Sequence, residues 1–117
     1  MGRCGKLLVI LIAVGASGLP LASLAAPPFN CSKATEQAEI AVCDSADLAL
    51  IDREMNRLYF TRRDALKASG KQDELDALRS EQRAFLKSRN DCGYDTACLT
   101  ALYKKRLDVL NQLPPKQ

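Results

Sequence analysis

The chain has 117 residues, with 17 Lys+Arg against 14 Asp+Glu, five cysteines and no histidine. Without histidine, the Ser–His and Cys–His nucleophile pairs and the histidine-bearing zinc sites are excluded. No basic face with interleaved aromatics is visible, so nucleic acid is not an expected partner.

Arg3 and Lys6 precede an apolar run at residues 7–14, and Gly15, Gly18 and Pro20 then weaken helix formation. Residues 23–25, Ser-Leu-Ala, form a small-x-small cleavage signal, so residues 1–25 read as a secretory signal peptide and residues 26–117 as the mature domain. An uncleaved anchor is the rival, because residues 7–26 carry no charge over about 20 positions. The short apolar core and the Pro/Gly break disfavour it. Lipid attachment is disfavoured too: Cys31 follows Phe29-Asn30 rather than small residues, and Cys4 lies too early. The expected location is the periplasm or the medium, with no stable membrane anchor after cleavage.

Cleavage also removes Cys4 and leaves Cys31, Cys43, Cys92 and Cys98. An even number of cysteines in a small exported domain reads as two disulfides. No pair has the tight spacing of a zinc knuckle, so no metal and no cofactor is expected. Removing Arg3 and Lys6 from the 17 basic residues leaves 15 against 14 acids, so the mature domain is almost neutral.

Pro27 and Pro28 begin an extended lead-in to Cys31. Thr35 suits the cap of a first short helix that runs to Cys43, with Glu36 and Glu39 in its first turn. Asp44 or Ser45 caps a longer second helix, in which Leu48, Ile51, Met55, Leu58, Ala65 and Leu66 recur as one apolar stripe. Gly70 is a stop signal. The pattern resumes at Asp73, and Leu75, Leu78, Phe85 and Leu86 form the stripe of a third helix ending near Asn90. So short a linker predicts an antiparallel helix hairpin. Residues 92–95 read as a turn. Asp95 or Thr96 caps a last helix, whose apolar face is Leu99, Leu102, Leu107, Val109, Leu110 and Leu113, and Pro114-Pro115 ends it. The fold class is all-α: a small disulfide-stapled bundle with a central hairpin and short flanking helices.

Four cysteines allow three pairings. Folding the hairpin near residue 71 leaves Cys43 and Cys92 roughly 10 Å out of register along the helices. A disulfide needs Cα atoms within about 7 Å. Local pairing, Cys31–Cys43 and Cys92–Cys98, needs no slip and is the expected connectivity.

The segment FNCSKATEQAEIAVCDSADLALIDREMNRLY (residues 29–59), followed by EQRAFLKSRNDC (81–92) and CLTALYKKRLDVL from Cys98, resembles the N-terminal domain of the LprI-type lysozyme inhibitor family. The resemblance covers essentially the whole mature chain. Phe85 stands where the family often has tryptophan. The resemblance implies an exported bacterial protein, a helical disulfide-containing fold and a non-catalytic function, inhibition of lysozyme. A periplasmic binding or chaperone-like module for another envelope protein or for peptidoglycan is the alternative.

Two residue groups are candidates for a site. Asp52, Asn56, Tyr59, Gln82, Arg83 and Arg89 are family-like polar positions; the first three share one helix face. With the fold point near 71, Arg89 falls beside about residue 54 and Arg83 beside about residue 60. Asp52–Arg89 and Tyr59–Arg83 are then the expected pairs, either as a lock on the hairpin or as a recognition patch. The second group is acidic: Glu36, Glu39, Asp44 and Asp47, with Asp52, occupy a stretch without a base. It suits docking onto a basic lysozyme. The 93–96 turn and residues 32–35 are the loops placed to enter a cleft. No catalytic residue is assigned, because the carboxylates are spread along helix surfaces.

Overall fold

The computed structural model describes Gly15 and residues 29–112. Apart from Gly15, the expected signal peptide lies outside the described residues, as do Pro27-Pro28, Leu113 and Pro114-Pro115. The described chain forms a 3₁₀ turn at Cys31–Lys33 and four helices: α1 (Gln37–Asp44), α2 (Ala46–Ala68), α3 (Gln72–Asp91) and α4 (Thr96–Gln112). No strand occurs among the described residues. This is the all-α bundle that the periodicity predicts.

Each boundary has a local cause. Asn30 accepts hydrogen bonds from the Ser32 amide (3.0 Å) and hydroxyl (2.7 Å), which starts the 3₁₀ turn. The first helix begins later than expected. Glu36, not Thr35, is its N-cap residue, and it makes no side-chain cap bond. The Cys31–Cys43 disulfide, with Cα atoms 5.8 Å apart, holds the lead-in against α1 instead. Ser45 is extended and separates α1 from α2 alone; its hydroxyl accepts from the Leu48 amide at 3.3 Å and so caps α2.

The C-terminus of α2 is a Schellman motif. Gly70 takes a left-handed φ of 66°. The Lys71 amide then reaches back to the Leu66 carbonyl (3.1 Å) and the Gly70 amide to Lys67 (3.2 Å). The chain reverses at once into α3. Gly93, at φ 58°, ends α3 with its amide on the Asn90 carbonyl (3.0 Å), and the Asp95 carboxylate accepts from the Cys98 amide at 3.0 Å to cap α4. The Cys92–Cys98 disulfide closes this turn, with Cα atoms 5.7 Å apart. Both disulfides are the expected local pairs.

The central element is α2, which packs chiefly on α4 and also on α3 and α1. The core combines Ala38, Ala41 and Val42 of α1, Leu48, Ala49 and Met55 of α2, Leu78 and Phe85 of α3, and Leu99, Tyr103 and Leu110 of α4. Burying a leucine of this kind is worth about 2 kcal/mol, so this apolar core is the main source of stability.

The expected stripes hold in α2 but not fully in α3 and α4. Leu86 and Val109 are exposed. The buried face of α4 is Leu99, Tyr103, Arg106 and Leu110, a 4-3-4 spacing that places all four on one side. Val109 falls off that side by about 100°.

α4 runs parallel to α2: Tyr103 meets Asp52, and the Arg62 guanidinium donates to the Leu110 carbonyl (3.3 Å) one level further along. The two disulfides sit far apart in sequence yet lie at the same end of the bundle, opposite the Gly70 turn. Tyr94 of the Cys92–Cys98 turn donates its hydroxyl to Asp44 beside Cys43 at 2.6 Å, which ties the two stapled corners together.

Candidate functional site

The polar residues of the bundle form two internal clusters and one surface. The first cluster lies near the stapled end. Asp52 is 1% exposed, and its Oδ1 accepts from the Tyr103 hydroxyl at 2.7 Å. Its Oδ2 is buried and has no hydrogen-bond partner among the described residues. Arg89 is buried as well, but its guanidinium pairs with Glu39 of α1 at 3.0 Å and bonds the Asn90 side chain. Phe29 closes the outer side, with its ring centroid 6.0 Å from the Arg89 guanidinium carbon. Phe85 meets the edge of Tyr103 at 5.3 Å and closes the inner side.

One buried cation therefore serves two carboxylates. Glu39 takes the direct contact and Asp52 receives only the long-range field. Burial pushes the Asp52 carboxyl above its ordinary range; the Tyr103 hydrogen bond and the Arg89 charge oppose this without cancelling it. Burial and the neighbouring Asp52 raise Tyr103 further still, so its hydroxyl remains a donor.

The second cluster lies one level toward the Gly70 turn. Arg106 donates through Nε and Nη2 to the Gln82 carbonyl oxygen at 3.1 and 3.0 Å, and its Nη1 is 3.5 Å from Glu81. The Gln82 amide in turn points at the Met55 sulfur, 3.3 Å away. This contact marks the hairpin register. Gln82 faces Met55 rather than a residue near 60, so α3 is shifted along α2 from the expected alignment.

The shift decides which of the expected pairs form. Asp52 and Arg89 share a cluster, but the ion pair expected between them goes to Glu39 instead. Tyr59 does not meet Arg83: Tyr59 is half-buried with its ring 5.3 Å from Phe60, and Arg83 is exposed. Asn56 turns back on its own helix and donates to the Asp52 backbone carbonyl at 2.8 Å. Tyr103 and Arg106 are partners that an aliphatic stripe does not reveal. Their spacing from Leu99 and Leu110 is the usable signal, since it places a tyrosine and an arginine on the buried face of α4.

The third feature is the surface of the stapled end. Glu36, Asp44 and Asp47 are exposed there. Glu39 is turned inward onto Arg89, and Asp44 is engaged by Tyr94, which is itself 48% exposed. The acidic end thus presents Glu36 and Asp47 outright and Asp44 shared with a tyrosine. Among the described residues no group of three acids or cysteines converges as a metal ion requires.

The profile of a family described as "Lysozyme inhibitor LprI" matches residues 30–110, which span the 3₁₀ turn, both disulfides and nearly all of the four helices. The chain belongs to the LprI lysozyme inhibitor family. No curated protein and no solved structure matches it. The LprI match covers all six polar positions and all four acidic ones, so the internal clusters and the stapled end are parts of the family domain rather than additions to it.

Proposed function

We propose that this LprI-family domain is exported, processed after Ala25, and binds and inhibits a lysozyme without catalysing a reaction. The observation that carries the reading is the family match over nearly the entire described bundle. Two disulfides fit an oxidising compartment outside the cytosol. No helix among the described residues is long and apolar enough to cross a membrane.

A rigid frame suits an inhibitor, because a surface already held in shape loses little entropy on docking. The stapled end is such a surface. The Tyr94–Asp44 bond joins two cross-linked corners, and Glu36 and Asp47 add negative charge beside them. Opposite charge on a basic lysozyme speeds encounter, and salt screens it.

Muramidase activity measured against the processed protein over a salt series tests this reading. Inhibition that weakens as salt rises is the expected outcome. Absence of inhibition of every lysozyme type at high molar excess removes it, and a pull-down of envelope proteins or peptidoglycan then becomes the informative experiment.

A further inference from the structure

The outward face of α2 points away from the other described helices and has an unusual composition. Leu50, Arg53, Arg57 and Phe60 follow one another at i, i+3, i+7 and i+10, and all four are exposed. That spacing keeps them within about 80° of the helix circumference and spreads them over about 15 Å. Leu50 is 51% and Phe60 41% exposed, although both are large apolar side chains on a helix with a well-filled core face. Arg63 lies over the Phe60 ring at 4.7 Å.

Local bonds orient the cations on this ridge. Arg57 pairs with Glu54 one turn back, through Nε at 2.8 Å and Nη2 at 2.6 Å. Arg63 pairs with the adjacent Asp64 at 2.9 Å. Solvent-exposed pairs of this kind contribute little to stability. They orient the guanidinium groups and are readily exchanged for an outside carboxylate. The ridge therefore combines two apolar anchors at helix-in-groove spacing with forked cations between and beside them.

The partner that fits is a groove lined by carboxylates and by apolar walls that stack against sugar rings. A glycosidase cleft, with its pair of acidic residues, has this chemistry. A convex helical ridge also has the shape to lie along such a groove. We propose that the outer stripe of α2 is the surface that occupies the cleft of the target muramidase. Arg53 and Arg57 face its carboxylates, and Leu50 and Phe60 rest on its sugar-binding walls. The proposal rests on the lysozyme-inhibitor reading and deepens it. The acidic stapled end borders this ridge, since Asp47 lies in the first turn of the same helix, so one helix addresses both a basic rim and an acidic cleft.

The test uses the processed protein, expressed with its own N-terminal segment, against animal lysozymes of each structural type. Arg57→Glu, Phe60→Ala and the double variant are compared with Lys104→Glu, a charge reversal on the exposed side of α4. Thermal melts of all variants should match wild type, because the altered residues are exposed. Half-inhibition by the double variant should require about 100-fold more protein, and Lys104→Glu should leave potency unchanged. Tri-N-acetylchitotriose, which binds in the cleft, should displace the wild-type protein in a binding assay. If wild type inhibits but the double variant is equally potent, or the trisaccharide does not compete, the α2 assignment is wrong and the inhibitor reading stands. If wild type binds no lysozyme at all, both fall.

Discussion

Asp52 has two carboxylate oxygens, one donor and almost no water. Tyr103 serves Oδ1, while Oδ2 is buried without a partner among the described residues. The groups facing it from the other helices are Tyr103 of α4, Arg89 of α3 and Glu39 of α1, and the cation among them is already paired. Because burial raises the folded-state pKa, the folded protein holds a proton at pH values where the unfolded chain has released it. Stability contributed through Asp52 is therefore greatest in acid and declines as pH rises from about 4 through the folded pKa. Asp52→Asn should be more stable than wild type at neutral pH, with the difference shrinking toward pH 4. Melting both proteins across that range checks it, and a gap that does not change with pH contradicts it.

The partners of Asp52 and Glu39 should show the opposite cost. Tyr103→Phe leaves both Asp52 oxygens unserved and should destabilise by about 1–3 kcal/mol. Arg89→Ala strands Glu39 and removes the cation whose field reaches Asp52, a loss of about 3 kcal/mol in denaturant unfolding. An unchanged midpoint for Arg89→Ala would mean that this cluster is not a structural lock.

At the scale of elements, the α2–α3 reversal depends on one backbone angle. Gly70 has φ 66°, and no described atom lies within 4 Å of where a Cβ would stand. Gly70→Ala therefore meets no steric clash with a neighbour, and its cost is the left-handed conformation itself, about 1 kcal/mol. Asn should be milder, since it tolerates this region better. Equilibrium unfolding of the two variants measures the difference directly, and equal costs would contradict the assignment to backbone conformation.

The whole molecule is held at one end by covalent bonds and at the other by a hydrogen-bonded turn. Each disulfide closes a short loop, with sequence separations of 12 and 6. Each is worth roughly 2–3 kcal/mol in the chain-entropy model, a large share of the roughly 5–10 kcal/mol typical of a small domain. Replacing Cys92 and Cys98 together by serine should lower the melting temperature. It should also loosen the turn that carries Tyr94, so inhibition should weaken under conditions where the variant is still folded. Retained potency would place the docking surface entirely on α2.

Helix number, helix order, the Gly70 reversal and the disulfide pairing are legible in the chain because they depend on short-range rules. Apolar spacing sets the faces, glycine and capping residues set the ends, and local cysteine pairs need no long-range register. The positions of Asp52, Gln82 and Arg89 within the core are also marked by their place on helix faces. Their partners are not. Glu39 reads as part of an acidic surface until α1 packs beside Arg89, and Arg106 reads as a solvated arginine until α4 turns it onto Gln82. Arg83 is the natural partner for Tyr59 in an unshifted hairpin, but the register marked by Met55 and Gln82 leaves it in solvent. Which acid meets which cation depends on the relative slide and rotation of helices. Only the packed core, filled by Met55, Phe85, Tyr103 and their neighbours, fixes those two quantities.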